Sequence, residues 1–176
     1  MAFHCDSSAN DRKNGPPVGI DLTMRIEGHF VVSAPRQIVW TAIKDPAVVA
    51  PCIPGCQGVE VLSPTLYKAR IRVAVGPIKA EFNVEVEILA ETEPEELRSR
   101  TRGEEGGRAS SLSAESTLRL TSLGENETEV FYSSEATVVG RLGKFGLGIM
   151  KKKAESLGRE FAANFKRRVE EPSPPA

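Results

Sequence analysis

From Tyr67 to Ile88 the chain alternates apolar and polar side chains on both sides of Gly76-Pro77. Before that break Tyr67, Ala69, Ile71, Val73 and Val75 alternate with Lys68, Arg70 and Arg72; after it Ile78, Ala80, Phe82, Val84, Val86 and Ile88 alternate with Lys79, Glu81, Asn83, Glu85 and Glu87. Successive side chains of a strand point to opposite faces, so the pattern predicts two strands joined by a tight hairpin, each with one dry and one wet face. A dry sheet face has to be covered, and that need limits what the rest of the chain can form.

Pairing about Gly76-Pro77 sets Arg72 opposite Glu81 and Lys68 opposite Glu85. A third run, residues 97–101, follows the Glu93-Pro94-Glu95 turn and puts Arg98, Arg100 and Arg102 on its wet face. A turn near Glu93 then sets Glu87 opposite Arg98 and Glu85 opposite Arg100, so an acidic strand lies between two basic ones. Such cross-strand pairs contribute roughly 0.2–1 kcal/mol each and help fix register. Because the glutamates neutralise the arginines and no aromatics interleave, this face is not a nucleic-acid surface. The Gly103-Glu104-Glu105-Gly106-Gly107 stretch reads as a flexible strand connection, without the following helix and lysine that a phosphate loop needs.

Two more strands are expected at 108–120 and 127–139, joined by a turn at Gly124-Glu125-Asn126. Their inward sets are Ser110, Leu112, Ala114, Ser116, Leu118 and Leu120, and Val130, Tyr132, Ser134, Ala136 and Val138. Small side chains on these faces either leave room or let a helix approach closely.

The cover comes after Gly140. Leu142, Phe145, Ile149, Met150, Ala154, Leu157, Phe161, Phe165 and Val169 recur at three- and four-residue steps, the stripe of a long amphipathic helix. Gly146, Gly148 and Gly158 each cost about 1 kcal/mol against alanine in a helix, so its first turns are expected to be loose or bent. Ahead of the meander, Phe30-Val31-Val32 closes an edge strand, and Ala34-Pro35 opens a short helix holding Ile38, Val39 and Trp40. Asp45 then caps a second short helix with Pro46 at its first position. The expected fold class is α+β: a curved antiparallel sheet wrapped around a long C-terminal helix, with two short helices after the first strand.

The net charge of −1 hides an uneven distribution. Between Arg141 and Val169 nine basic residues face two acidic ones, a local charge of +7 that includes Lys144, Lys151, Lys152 and Lys153. Asymmetry of this kind bears on partners more than on fold. A length of 176 residues suits one domain. Residues 1–20 read as a flexible polar arm, 21–170 as the folded domain and 171–176 as a flexible proline-rich tail. No run of about 18 apolar residues is present to span a bilayer. Three cysteines without a secretory signal point to reduced thiols in the cytoplasm.

Catalytic groups are scarce. Cys52 and Cys56 have C-x-x-x-C spacing but no further ligands at compatible positions, so no metal is expected. Of the two histidines, His4 lies in the arm and His29 beside Phe30 at a strand end, so no nucleophile–base pair emerges. Nearly all carboxylates fall on wet faces or in turns, with Glu115 and Glu135 mid-strand. No catalytic residue and no cofactor are expected, and the chemistry on offer is apolar enclosure. The candidate walls are Trp40, Tyr67, Ile71, Phe82, Val84, Tyr132, Phe145, Leu157, Phe161 and Phe165, each of which also reads as ordinary core.

Five motifs in order carry a family resemblance: Phe30-Val31-Val32-Ser33-Ala34-Pro35 with Val39-Trp40, Asp45-Pro46, Ile53-Pro54-Gly55-Cys56, Val75 to Phe82, and Val138-Val139-Gly140-Arg141-Leu142 with Gly146. Over roughly residues 24 to 168 the chain resembles the family of CoxG, a subunit of carbon monoxide dehydrogenase, within the START-like, or polyketide-cyclase-like (SRPBCC), helix-grip superfamily. The resemblance implies a cavity enclosed by the grip and a non-enzymatic accessory protein. It implies as partners a molybdenum-containing carbon monoxide dehydrogenase or related hydroxylase, and an apolar ligand, a respiratory quinone or lipid. It also implies recruitment to the inner face of the cytoplasmic membrane. Some family members carry a hydrophobic C-terminal anchor, whereas this sequence ends in Pro172-Ser173-Pro174-Pro175, so the expected contact with anionic lipid is peripheral, through the basic helix. Two other readings stay open: a small cyclase or hydrolase using Tyr67, Tyr132 or Glu115 as acid or base, and a ligand-free module that docks to a dehydrogenase through the basic helix.

Overall fold

A computed structural model describes residues 21–171. The arm at 1–20 and, of the tail expected at 171–176, residues 172–176 lie outside the described residues. The chain forms β1 (Leu22–Val32), α1 (Arg36–Ile43), α2 (Pro46–Val49), β2 (Cys56–Ser63), β3 (Leu66–Val75), β4 (Ile78–Thr92), β5 (Glu96–Glu105), β6 (Ser110–Gly124), β7 (Glu127–Gly140) and α3 (Leu147–Glu170). The seven strands make one antiparallel sheet in the order β1-β7-β6-β5-β4-β3-β2. The result is the α+β arrangement that the alternation and the terminal stripe call for, with β1 at one edge.

The β3–β4 hairpin turns at Gly76-Pro77, where Gly76 takes φ 55° and Val75 pairs with Ile78. Arg72 accordingly faces Glu81, its Nε 3.0 Å from Oε2, and Lys68 faces Glu85. The next hairpin differs from expectation. Its pairing closes on Thr92 and Glu96, centred on Pro94, so Glu85 faces Arg102 and Glu87 faces Arg100, two residues from the expected partners. A shift of two keeps every side chain on its face, so the acidic strand still lies between basic ones. Two other expectations are corrected. The glycine-flanked stretch is strand through Glu105, with the connection confined to the 3-10 turn Gly106–Arg108. Cys56, expected in a turn, opens β2, a strand that the alternation does not reveal.

Asp45 caps α2 by accepting from the Ala47 N–H at 2.9 Å, with Pro46 in the first turn. The loose start expected for the long helix is a 3-10 turn, Arg141–Phe145, between Gly140 (φ 103°) and Gly146 (φ 83°), before α3 begins at Leu147. Gly140 is fixed by space as well as by backbone angle. A Cβ there would lie 2.3 Å from the Ala109 carbonyl oxygen and 2.8 Å from Ser110 Cα.

The interior divides into two apolar clusters. One, under α1 and the C-terminal half of α3, packs Val32, Val39, Trp40, Leu120, Val130 and Phe165. The other, under the N-terminal half, includes Met24, Val75, Phe82, Val84, Val138 and Met150.

Substituting Gly140→Ala should destabilise the fold by about 2 kcal/mol or more, since strain and backbone overlap add. Gly107→Ala, at φ 72° with open space around it, should cost only about 1 kcal/mol. Urea unfolding of both variants measures the difference, and equal losses would contradict the steric account.

Candidate functional site

Helix α3 does not lie centrally over the sheet. It packs mainly on β1 and on the Ala50–Cys52 3-10 turn. The Asn164 side-chain N–H donates to the Cys52 carbonyl at 3.1 Å, and the Ser33 N–H donates to Glu170 Oε1 at 2.7 Å. Phe165, fully buried, meets Phe30 edge-on at 6.3 Å and stacks on Phe161 at 5.8 Å. The C-terminal half of α3 is therefore anchored to β1, to the loop after it and to the turn before β2.

The space left is a cavity of about 380 Å³. Its sheet walls are Met24 of β1, Ile71, Val73 and Val75 of β3, Phe82 and Val84 of β4, Leu112 of β6, and Ala136 and Val138 of β7. The helix contributes Met150, Lys153, Ala154, Leu157, Gly158 and Phe161; Ile53 and Pro54 close one end and Leu142 the other. Every lining side chain is apolar except that of Lys153. Of the small residues on the inward faces of β6 and β7, Ala136 borders this space, whereas Ser110, Ala114, Ser116 and Ser134 do not line it.

Of the ten expected wall residues, Ile71, Phe82, Val84, Leu157 and Phe161 come together around this cavity. Trp40 and Phe165 instead fill the cluster under α1 and the C-terminal half of α3. Tyr67 sits farther along β3, its hydroxyl donating to the Pro64 carbonyl at 2.9 Å. Phe145 packs on the outside of the cavity-lining cluster, over the Gly76 turn. Tyr132 lies between β1 and α3, where its ring needs the absence of side chains at Gly28 and Gly158: a Cβ at those glycines would fall 2.2 Å and 3.1 Å from its hydroxyl oxygen. Large aromatics complete the core or act as spacers, and aliphatic residues supply most of the cavity wall.

The lysine run also divides. Lys151 and Lys152 are exposed, as is Lys144, whereas Lys153 is half-buried on the cavity rim. Ile149, expected in the inward stripe, points outward, 52% exposed, next to Leu147 at 47%. An exposed apolar pair is therefore flanked by three exposed lysines.

Sequence reasoning misses Glu105. It falls in the stretch expected to be a flexible connection, yet it is buried at 5% exposure and receives both Nε and Nη2 of Arg141. Those hydrogen bonds hold its carboxyl below the usual glutamate range, against the opposing effect of burial, with Ser110 adding a further hydrogen bond. The same pair raises the Arg141 guanidinium above its ordinary value. Ser110 Oγ also accepts from the Leu142 N–H at 3.2 Å. This clasp holds Leu142 as the end wall of the cavity. Its only advance signal is the acidic Glu105 in strand phase with inward Gly103.

Potential catalytic groups lie elsewhere. His29 and Glu135 are exposed on the outer face, and Glu115 there pairs with Arg100 at 3.1 Å. Cys52 is buried, its thiol pushed up by desolvation despite Arg168 and Arg167, and its Sγ donates to the Val48 carbonyl at 3.2 Å. Among the described residues no His, Cys, Asp or Glu side chains group as a metal site, and no helix is long and apolar enough to cross a membrane.

Residues 28–170 match the model of the CoxG family, named for the CoxG subunit of carbon monoxide dehydrogenase. A comparison with curated proteins gave no match. Among solved structures, a conserved protein from Geobacillus kaustophilus is similar with TM-score 0.77 at 22% identity, over 83% of this chain and 95% of that one. A START superfamily protein from Mycobacterium smegmatis follows with TM-score 0.66 at 14% identity, over 83% and 97%. Truncated norcoclaurine synthase from Thalictrum flavum shares the fold with TM-score 0.59 at 13% identity, over 87% and 97%. At these identities the structures establish a START-like fold.

The clasp predicts a pH dependence. A carboxyl whose folded pKa is lowered stabilises above its unfolded value and loses that contribution as pH falls through the folded one. Glu105→Gln should therefore be less stable than wild type at neutral pH, with the gap narrowing under acid. Thermal unfolding across that range tests it; parallel curves would count against the clasp.

Proposed function

The chain belongs to the CoxG family of carbon monoxide dehydrogenase, and from that membership we propose that it is a non-enzymatic carrier which encloses an apolar ligand, a respiratory quinone or lipid, under α3. We further propose that it serves a molybdenum-containing carbon monoxide dehydrogenase-type enzyme and meets the membrane peripherally. The observation that carries the reading is the cavity of about 380 Å³, whose walls are aliphatic and aromatic apart from Lys153. That volume lies within the range of about 300–1,000 Å³ usual for small-molecule sites. A ligand-free docking module would have no use for it.

A carrier is favoured over a cyclase or hydrolase because none of Tyr67, Tyr132 and Glu115 lines the cavity. Acid–base catalysis requires such groups within hydrogen-bond reach of the bound molecule, and Lys153 stands on the wall without a second titratable side chain beside it. Membrane contact is supported by Leu147 and Ile149, exposed between Lys144 and the Lys151-Lys152 pair at the cavity end of α3. Apolar side chains entering the interface and lysines above anionic headgroups are complementary to such a surface, each cation contributing about 1 kcal/mol.

Native mass spectrometry of the purified protein, with organic extraction, should reveal a bound or readily acquired quinone or lipid. Ala154→Phe fills the cavity without touching the anchored half of α3, and it should weaken uptake about tenfold or more while leaving the fold intact. Undiminished uptake would place binding elsewhere. In flotation assays, phosphatidylglycerol-containing vesicles should carry the protein at low salt better than pure phosphatidylcholine vesicles. Replacing Lys144, Lys151 and Lys152 with glutamine should abolish that preference. Binding indifferent to lipid charge and salt would exclude this surface.

A further inference from the structure

The one polar side chain on the cavity wall specifies more than an apolar ligand. Resting on the carrier reading, we propose that Lys153 anchors the polar end of the ligand, so that the natural cargo is amphipathic, with a hydrogen-bond-accepting oxygen at the head of an apolar tail. Met150, Ala154, Leu157 and Phe161 form the inward stripe of α3, and Lys153 falls on its edge, one turn before Leu157. Its half-buried stem lies along the apolar wall, an arrangement that brings a lysine head to the rim, where water remains accessible. Lys151 and Lys152, like Lys153, appear in no ion pair among the described residues; what sets Lys153 apart is that it alone of the cations of α3 lines the cavity. Its neighbours Lys151 and Lys152 are exposed, so the run places one cation at the cavity and two outside.

The position also orients the cargo. From Lys153 to Phe161 the helix runs about 12 Å along its axis, all of it cavity wall. A head held at Lys153 sends its tail past Ala154 and Leu157 toward Phe161, Ile53 and Pro54. The shared chemistry is an acceptor oxygen, met equally by a lipid carboxylate and a quinone carbonyl. A carboxylate forms the stronger, charge-assisted bond.

Three probes separate the sources: palmitate, methyl palmitate and decylubiquinone, titrated calorimetrically against wild type and Lys153→Met, which retains an apolar side chain of similar length. Wild type should bind palmitate about tenfold or more tightly than the variant does, and decylubiquinone a few-fold more tightly if carbonyls are the natural acceptor. Methyl palmitate, which lacks the charge, should bind the two proteins with more nearly equal affinity. Lys153→Arg should recover most of the palmitate affinity. Equal affinity of wild type and Lys153→Met for both palmitate and decylubiquinone would overturn the anchoring role while leaving the cavity reading intact. Failure of wild type to bind any probe would overturn the carrier reading and this inference with it.

Discussion

One helix has to cover a sheet far wider than itself. Seven strands spaced about 4.8 Å apart span roughly 29 Å, whereas a helix with its side chains is only about 10–12 Å across. The dry faces of β3 to β7 cannot all reach α3 if the sheet stays flat, so it curls around the helix. Where α3 sits then decides where the shortfall falls. Because α3 packs on β1, at one edge of the sheet, the uncovered area lies toward β3 and β4. The cavity is what remains of that mismatch.

Collapse of the space is opposed from both ends. At the far end Asn164, Glu170 and the Phe30–Phe165–Phe161 stack fasten the helix to the first strand, the loop after it and the turn before β2. At the near end the Glu105–Arg141 pair and the Leu142–Ser110 hydrogen bond fasten the connection between β7 and α3. Between them Tyr132, seated over Gly28 and Gly158, acts as a spacer between sheet and helix. Filling the cavity would mean giving up one of these contacts. An apolar void loses dispersion contacts along its walls and is a cost in stability unless a ligand supplies them.

The faces of the sheet are legible in the sequence because alternation has a period of two and survives errors of register that are even. The first hairpin is right to the residue, since Gly76-Pro77 leaves no choice of turn. The second is off by two because β4 runs on to Thr92, past the expected end of its pattern at Ile88, and a bulge follows Ile88. β2 is illegible for a related reason: register breaks at both its ends, together with Val61 and Leu62 exposed side by side, erase the alternation. The walls of the cavity are only half legible. Size guides the choice of candidates, but large rings such as Trp40 and Phe165 are what a core uses to fill space. A cavity persists where Ala136 and Ala154 fail to fill it.

The lysine run of α3 gains nothing from the helix's own electrostatics. The first turn of a helix carries partial positive charge, which favours carboxylates there and fades within that turn. The first turn of α3 has no acidic residue, and Lys151, Lys152 and Lys153 follow at once. Arg167 and Arg168, in the last turn, suit the opposite pole and need no further explanation. Three consecutive cations near the other end do, because the helix dipole gives them no support there. The steps of about 100° between helical residues divide the run, turning Lys151 and Lys152 toward solvent beside Leu147 and Ile149 and leaving Lys153 on the cavity rim. An anionic surface outside and an oxygen-bearing head inside would each supply the partner that the helix does not. The same stretch of helix would then serve both the proposed membrane contact and the proposed cargo.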